Sequence, residues 1–381
     1  MSTMSEAAAR APVVTGAADG TFLAAALRRA GRELPAGACA PRSVPLTGGR
    51  TSQPVSRLEC EAGSSYVLKR VPRPRAFARG LGSEGEALFW LGGATRNVPP
   101  PVLNPTFDVT YHRERDEWWI LMDDVSNGIV PRGSWTEQHT MRLFDALAAL
   151  HAGAWGAAAL ADRLGTPAGT TRVFVETAIY AATGEARTAW VEGAAREFPV
   201  AAALLPRFFQ LLGPRDAAVY LDLCRSWPQL VAALARFTPT LLHGDTRGAN
   251  VAFAEDRVVM FDWDFAMHGP AALDLAWHWF LQYWAYPPAD GLQADERLWM
   301  VDAYLERLED LLGYRVDRET FGAAWELGWL RVFLQLGFVL ADNDDADDDP
   351  GVDRRQQDLC RHALRTARAI ADRHLARGSA E

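Results

Sequence analysis

Three polar side chains follow one another at short spacing in the middle of this 381-residue chain. Asp245 ends an HGD run, and Asn250 follows five residues later. Asp262 directly follows the stretch 251–261, in which two apolar runs are separated by three charged residues. That stretch reads as a hairpin of two buried strands, so the three groups should lie close together. One carboxylate can orient a hydroxyl and accept its proton, while an amide oxygen and a second carboxylate can hold Mg²⁺ on phosphates. The spacing therefore indicates phosphoryl transfer, with Asp245 catalytic and Asn250 and Asp262 as metal ligands.

Lysine is nearly absent from the chain. Of the 39 basic residues, 38 are arginine and only Lys69 is lysine. The richness in Ala and Arg is typical of a GC-rich genome, which tends to replace lysine wherever a positive charge alone suffices. An ammonium is compact and a guanidinium is a wider planar fork, so the two are not interchangeable where space around phosphate oxygens is tight. Lys69, in the strand-like run 65–71, is therefore a candidate phosphate ligand.

The segments before and after Lys69 define a small sheet with a helix. Strands are predicted over 42–46, 55–59 and 65–71, and the last two strands of this sheet over 99–102 and 118–122. The hairpin between the first two strands carries glycines and hydroxyls, which let backbone N–H groups approach phosphate oxygens. An ordinary hairpin is the alternative. The residues of this candidate phosphate loop are Gly48, Gly49, Arg50, Thr51 and Ser52.

The order H-x-D-x-x-x-x-N, strand, Asp is that of protein kinases, but Gly244 replaces their Arg and Phe-Asp-Trp-Asp at 261–264 replaces Asp-Phe-Gly. This variant resembles the aminoglycoside phosphotransferase and choline kinase-like family, the small-molecule branch of the kinase fold. Gly269-Pro270 and the run Asp274-Leu275-Ala276 match the tail of its motif, G-[DP]-P-x-x-D-[LI]-A. The similarity extends over residues 42 to 280.

The resemblance implies an α+β, protein-kinase-like two-lobe fold, with an antiparallel sheet plus a helix in the N-lobe and a mostly helical C-lobe. We expect a mobile tail over 1–18 and an N-lobe over 19–124 that holds the nucleotide-binding sheet, the glycine loop, the lysine strand and a glutamate helix. The C-lobe, 125–381, then carries the catalytic loop, the metal site and an acceptor pocket. The implied cofactors are ATP or GTP and Mg²⁺.

Further site residues follow from the resemblance. Its spacing selects Glu84 as the partner of Lys69, with Glu86 in reserve. The hinge, whose backbone would bind the purine edge, falls on Met122, Asp123 and Val125.

We expect auxiliary roles for four residues around the catalytic loop. Asp274 braces the loop backbone and His243 does the same by hydrogen bonding. Asp264 either assists Asp262 or fixes the loop. Arg247 either compensates charge near the γ-phosphate or touches the acceptor.

Aromatic residues cluster just after Asp274 and suggest an acceptor pocket, although helix core is the alternative. The candidates for the pocket are Trp277, Trp279, Tyr283 and Trp284. The acidic run 342–349 lacks the glycine and the closing glutamate of a calcium loop. It is either a solvated loop or a surface that attracts a polycationic acceptor.

The amino-acid composition limits the classes of binding partner that we expect. A net charge of −9 argues against binding to nucleic acid or an anionic membrane, which both need a positive field. The four cysteines show no C-x-x-C spacing, so a reduced cytoplasm is the simplest setting. No apolar run of eighteen residues was recognised. We therefore expect a cytoplasmic monomer or homodimer whose partner is a small-molecule alcohol.

The predicted reaction is transfer of the γ-phosphate of ATP or GTP to a hydroxyl of an antibiotic of aminoglycoside, nucleoside or peptide type, which would give resistance. One alternative is a metabolic kinase for choline, a sugar or an amino alcohol. Another is a catalytically silent nucleotide-binding module, against which the joint presence of Lys69, Asp245, Asn250 and Asp262 argues.

Overall fold

The computed structural model describes residues 11–15, 17–35, 41–46, 54–61, 63–72, 85–161, 164–184, 199–286, 294–342 and 350–375. The candidate phosphate loop, Glu84 and all of the acidic run except Asp342 lie outside the described residues.

The N-terminal part is built on a six-stranded sheet with the order β1-β6-β7-β4-β3-β2. The central strand β4 carries Lys69 between Val55 on β3 and Ile120 on β7. Successive side chains of a strand alternate between faces, so Lys69 shares its face with Val67 and Val71. The strands are β1 (Val13–Val14), β2 (Arg42–Pro45), β3 (Val55–Glu59), β4 (Ser65–Pro72), β6 (Thr106–His112) and β7 (Glu117–Asp123).

Two expectations for this sheet are wrong. The strand predicted at 99–102 does not join it, because β5 (Val102–Leu103) pairs in parallel with β10 (Arg257–Met260) of the catalytic hairpin. Strand β6 occupies that position in the sheet. It was not predicted, because polar residues interrupt its apolar pattern. The expected mobile tail over 1–18 is also wrong in part, since β1 pairs in parallel with β6.

Helix α1 (Gly20–Arg29) covers one face of the sheet. Asp19 caps its first turn by accepting a hydrogen bond from the backbone N–H of Phe22 at 3.0 Å. Phe22 then packs edge-on against Trp119, with ring centroids 4.8 Å apart. At the other end, Arg29 donates to both oxygens of buried Asp108 at 3.0 and 2.8 Å. This ion pair supplies a partner for the carboxylate that β6 turns inward.

Helix α2 (Gly85–Leu91) lies between the sheet and the helical part of the chain. Phe89 of α2 stacks on Trp263, with centroids 4.5 Å apart and ring planes within 5°. The predicted hairpin after Asn250 is present: β9 (Val251–Ala254) pairs antiparallel with β10. The strand before the HGD run, β8 (Pro239–Leu242), pairs with β11 (Met267–Pro270).

The helical part surrounds these two short sheets. Its central helix α3 is almost entirely apolar on its inner face, where Leu143, Leu147 and Leu150 are fully buried. The helices are α3 (Glu137–Gly153), α4 (Pro167–Thr183), α5 (Pro199–Arg225, kinked at Gly213), α6 (Trp227–Leu234), α7 (Ala272–Trp279), α8 (Trp299–Leu312), α9 (Arg318–Leu336) and α10 (Pro350–His374).

One helical stretch, Arg318–Ala341, is long and apolar enough to cross a membrane by length and composition alone. Its most apolar window is 83% buried inside the protein, as expected for the core helix of a globular domain. Phe333 of this stretch packs against both Phe208 and Tyr220 of α5.

The Arg29–Asp108 ion pair is predicted to stabilise the sheet. Arg29→Ala removes two charge-assisted hydrogen bonds from a carboxylate that is 5% exposed. The free energy of unfolding should therefore fall by about 1–3 kcal/mol. Urea denaturation followed by tryptophan fluorescence measures this change. Arg28→Ala, at the exposed neighbouring position, is the control; equal unfolding midpoints for the two variants would contradict the assignment.

Candidate active site

The only lysine of the chain is buried among three carboxylates. Its Nζ lies 2.9 Å from Glu86 on α2, 2.5 Å from Asp262 and 2.8 Å from Asp264. Lys69 is 5% exposed, and the side chain of Asp262, at 27%, is the most accessible of its partners. An ammonium has three N–H groups, so these three contacts use all of them. The cluster ties the sheet, α2 and the turn after β10 together.

The partner of Lys69 on α2 corrects the sequence prediction. Glu86, the reserve choice, takes the role that we assigned to Glu84, which lies outside the described residues. Gly85 makes this possible, because a Cβ there would stand 2.0 Å from the carbonyl oxygen of Asp264. The first turn of α2 can therefore approach the 262–265 turn closely enough for the backbone N–H of Glu86 to reach Asp264 Oδ1 at 3.4 Å.

The pKa values of the two aspartates in this cluster are shifted in opposite directions. Burial and the neighbouring carboxylates raise the pKa of Asp264 to about 7, although Lys69 opposes this. Burial also acts to raise the pKa of Asp262, but Lys69, with help from Arg247, outweighs it and holds the value at about 2. Asp262 is therefore the carboxylate that stays ionised, whereas the ionised form of Asp264 is disfavoured. Of the two roles foreseen for Asp264, fixing the turn fits these contacts.

The HGD turn is fixed by one buried carboxylate. Asp274, at the start of α7, accepts hydrogen bonds from the backbone N–H groups of His243 and Gly244, both at 2.8 Å. Gly244 has a φ of 83°, and a Cβ there would lie 2.1 Å from the carbonyl oxygen of Phe265. A larger residue, such as the arginine of protein kinases, does not fit. Asp274 thus holds the backbone on which Asp245 stands.

His243 links the turn to the metal-side strand. Its Nε2 donates to the carbonyl oxygen of Phe261 at 3.0 Å, and its Nδ1 accepts from the backbone N–H of Asp245 at 3.3 Å. These partners define a neutral ring protonated on Nε2, because a carbonyl only accepts and an N–H only donates. Both ring nitrogens are engaged, so His243 does not serve as a base. Phe261 in turn donates from its N–H to the carbonyl of Asn250 at 3.2 Å.

Asp245 is 6% exposed, accepts two side-chain hydrogen bonds and has one cation beside it. Asn250 donates from Nδ2 to Oδ2 at 2.8 Å, and Arg247 places Nε 3.2 Å from the same oxygen. Trp277 donates from Nε1 to Oδ1 at 2.7 Å. The carboxylate is thus held in one orientation. The hydrogen bond from Trp277 was not foreseen, because the direction of its ring depends on how α7 packs against the turn.

Helix α7 presents three anchors to the turn. Asp274, Trp277 and His278 stand at positions i, i+3 and i+4, which share one face of a helix. His278 donates from Nδ1 to the carbonyl oxygen of Thr246 at 2.8 Å, and the Thr246 hydroxyl donates to the carbonyl of Asp274 at 2.6 Å. Sequence reasoning missed His278, although its i+4 spacing from Asp274 was a usable signal.

Asn250 and Asp262 offer oxygen atoms of the kinds that bind a metal ion. Asn250 also donates from Nδ2 to the carbonyl of Asp245 at 3.0 Å, so its amide oxygen points away from Asp245. Asp262 is ionised and partly open, and Mg²⁺ prefers such carboxylate and amide oxygens. Glu86, Asp262 and Asp264 also bring oxygens within 4.8 Å of one another, but Lys69 occupies their centre.

The hinge candidates lie at the end of β7. The N–H of Asp123 donates to the carbonyl of Pro105 at 3.1 Å, and the carbonyl of Val125 accepts from the N–H of Gly128 at 2.9 Å. The side chain of Asp123 binds Arg32 at 2.5 and 2.9 Å and is directed to solvent. Met122 is buried against the sheet, so its side chain does not reach the outside of this edge.

The aromatic candidates separate into two groups. Trp277 reaches Asp245, and Trp284 is half-buried and stacks on His362, with centroids 5.3 Å apart. Trp279 and Tyr283 are 1% and 4% exposed and contact each other at 4.8 Å. Their assignment to an acceptor pocket is therefore wrong, because their side chains fill the core beside α3.

Residues 43–312 match the model of the phosphotransferase enzyme family. None of the curated proteins matches the chain. Among solved structures, choline kinase from Cryptosporidium parvum Iowa II is similar at 10% identity and a TM-score of 0.53, over 94% of this chain and 98% of that one. This likeness confirms the expected α+β, two-lobe kinase fold.

Two further solved structures are similar at lower TM-scores. One is a putative fructosamine-3-kinase from Thermobifida fusca YX-ER1, at 20% identity, a TM-score of 0.43 and coverage of 91% of this chain and 99% of that one. The other is an aminoglycoside phosphotransferase from Alicyclobacillus acidocaldarius, at 15% identity, a TM-score of 0.44 and coverage of 86% and 90%.

The buried His278 is predicted to make stability depend on pH. Burial lowers its pKa to about 4, whereas the pKa of a histidine in an unfolded chain is about 6.5. Between these values the unfolded chain binds a proton that the native chain does not, so stability falls as the pH drops from about 6.5 to about 4, by up to about 3 kcal/mol.

His278→Asn keeps a donor for Thr246 and does not titrate, so its stability should depend less steeply on pH. Denaturation at a series of pH values measures the slope. His362→Asn, at an exposed position, is the matched control and should keep the wild-type slope. A wild-type slope in His278→Asn would refute the prediction.

Proposed function

Because this chain belongs to the phosphotransferase enzyme family, we propose that it transfers the γ-phosphate of ATP or GTP to a hydroxyl group of a small molecule. The observation that carries the proposal is the joining of two half-sites. Lys69 and Asp262 form one, Asp245 and Asn250 form the other, and the bonds His243–Phe261 and Phe261–Asn250 connect them.

Lys69 and the end of β7 are the nucleotide side of the proposed site. All three N–H groups of Lys69 are bonded, so a phosphate oxygen must replace one partner. Asp262 is the partner to be replaced, because it is the most accessible of the three and fits a metal ion. At the hinge we assign the purine edge to the carbonyl of Asp123 and the N–H of Val125, since the N–H of Asp123 and the carbonyl of Val125 are already used.

A Mg²⁺ ion held by Asn250 and Asp262 would neutralise charge on the phosphates. Asp245 orients the acceptor hydroxyl and takes its proton as the phosphoryl group is transferred. Arg247, between Asp245 and Asp262, is placed to compensate charge on that group. Most of the catalysis in this scheme is placement and charge compensation.

The proposed acceptor is an antibiotic carrying a hydroxyl, of aminoglycoside, nucleoside or peptide type, and the proposed outcome is resistance in a reducing cytoplasm. A net charge of −9 favours a cationic or neutral acceptor over an anionic one. The half-buried Trp284 is a second candidate contact for such a molecule beside Trp277. Incubation with Mg-nucleotide and a panel of antibiotics, choline, sugars and amino alcohols, read by mass spectrometry for a phosphate-sized gain, identifies the acceptor.

Asp245→Asn should lower kcat about 10²- to 10⁴-fold, because it removes the proton acceptor while preserving shape. Nucleotide binding should persist. Initial-rate kinetics with the identified acceptor measure the loss. Asp256→Asn, the same change at an exposed turn of the adjacent hairpin, should retain wild-type kcat. If wild type binds nucleotide but phosphorylates nothing in the panel, the chain is a binding module and the proposal fails.

Lys69→Arg should lower kcat/KM for the nucleotide about 10²-fold, because a guanidinium does not fit among the three carboxylates and the phosphates. Titration of the nucleotide at saturating acceptor measures this effect. The matched control is the reverse exchange Arg70→Lys on the opposite face of the same strand. An active Lys69→Arg enzyme would show that only the positive charge is needed.

A further inference from the structure

Trp277 donates the only hydrogen bond to Asp245 Oδ1 among the described residues. Its indole Nε1 donates to that oxygen at 2.7 Å, whereas Asn250 and Arg247 both approach Oδ2. The indole is 5% exposed and the carboxylate 6%. Water therefore competes little for this bond, and a buried hydrogen bond to a charged group is among the stronger ones.

The direction of the indole is fixed by the helix that carries it. Asp274 and His278, on the same face of α7, hold the backbone on both sides of Asp245. The ring of Trp277 also packs near Phe265, with centroids 6.4 Å apart. The indole N–H and the backbone of the turn are thus positioned by one rigid element, so the carboxylate has little freedom to rotate.

The two oxygens of Asp245 are not equivalent. A carboxylate oxygen has about two acceptor positions. Oδ2 accepts a hydrogen bond from Nδ2 of Asn250, and the cationic Nε of Arg247 lies 3.2 Å from it without hydrogen-bond geometry. This cation lowers the basicity of Oδ2 and occupies space beside it. Oδ1 receives one donor, Trp277, and keeps a position for another hydroxyl. The acceptor hydroxyl is therefore better accommodated at Oδ1, on the side of the indole.

We propose that Trp277 is the positioning residue of the catalytic base, and that its N–H bond makes Oδ1 the oxygen that receives the acceptor's proton. This inference rests on the proposed phosphotransfer. In that step the acceptor O–H bond breaks as its oxygen bonds to the γ-phosphorus. The proton passes to Asp245 Oδ1, and the electron pair of the broken P–O bond stays on the leaving nucleoside diphosphate.

The kinetic test uses Trp277→Phe, which removes the N–H and keeps an aromatic ring. We expect kcat to fall at least about tenfold, since a correctly placed general base contributes on the order of 10²- to 10⁴-fold. The KM for nucleotide should be unchanged, because the cluster around Lys69 is untouched. A merely structural role would instead lower the amount of folded enzyme without changing kcat per folded molecule.

Trp119→Phe is the matched control. Its indole Nε1 also donates to a carboxylate at 2.7 Å, that of Glu117, and Trp119 is 2% exposed, but it lies in the sheet and faces α1. The control should keep wild-type kcat. If Trp277→Phe keeps wild-type kcat, or loses no more than Trp119→Phe, the inference is overturned.

A spectroscopic arm tests the bond without any acceptor. In ¹⁵N-labelled protein, the indole N–H resonance of Trp277 is identified by its loss in Trp277→Phe. It should shift strongly in Asp245→Ala and stay in place in Glu117→Ala. If the wild-type protein phosphorylates no acceptor, the proposed function fails. The spectroscopic measurement then tests the hydrogen bond between Trp277 and Asp245 by itself. A resonance that ignores Asp245→Ala overturns the inference whatever the enzyme assay shows.

Discussion

The rest of the structure depends on the ion pairs of the buried Lys69 ammonium. A charge removed from water is tolerated only with close, hydrogen-bonded partners. Here those partners come from two separate elements, Glu86 from α2 and the pair Asp262 and Asp264 from the turn after β10. The sheet, α2 and the turn are therefore held in one arrangement. Gly85 and the stack of Phe89 on Trp263 allow the close approach that this arrangement needs.

The second half of the site depends on α7 instead. Asp274 and His278 hold the backbone of the HGD turn, and Trp277 holds the side chain that the turn presents. A single helix thus sets the position of the proposed base, while the lysine cluster sets the position of the proposed nucleotide. The bond from His243 to Phe261 connects the two systems. A chemistry that demands placement above all is served by such rigid supports.

Much of this site could be predicted because its spacing is local. Asp245, Asn250 and Asp262 lie on one turn and hairpin, so their proximity follows from chain order, and the scarcity of lysine singled out Lys69. The rest depends on how elements pack. Glu86, the reserve choice, meets Lys69 because Gly85 lets α2 approach the turn.

The sequence also does not reveal which face a helix turns toward its neighbours. Trp277 points to Asp245, while Trp279 and Tyr283, a few residues away, fill the core. The role of His278 likewise follows from the orientation of α7 against the turn. Strand β6 was missed because Asp108 interrupts its apolar pattern, and only its pairing with Arg29 explains how that carboxylate is buried. The boundary between lobes near residue 124 stays a prediction.

The most direct measurement of the central claim, that nucleotide phosphates bind at Lys69, exploits the single lysine. An acyl-phosphate derivative of ATP, which transfers its acyl group to a nearby amine, can modify side-chain nitrogen of lysine only at this position. We predict that peptide mass mapping will find the label on Lys69 and that Mg-ATP will suppress it. Labelling that Mg-ATP does not slow, or an unmodified Lys69, would contradict the account.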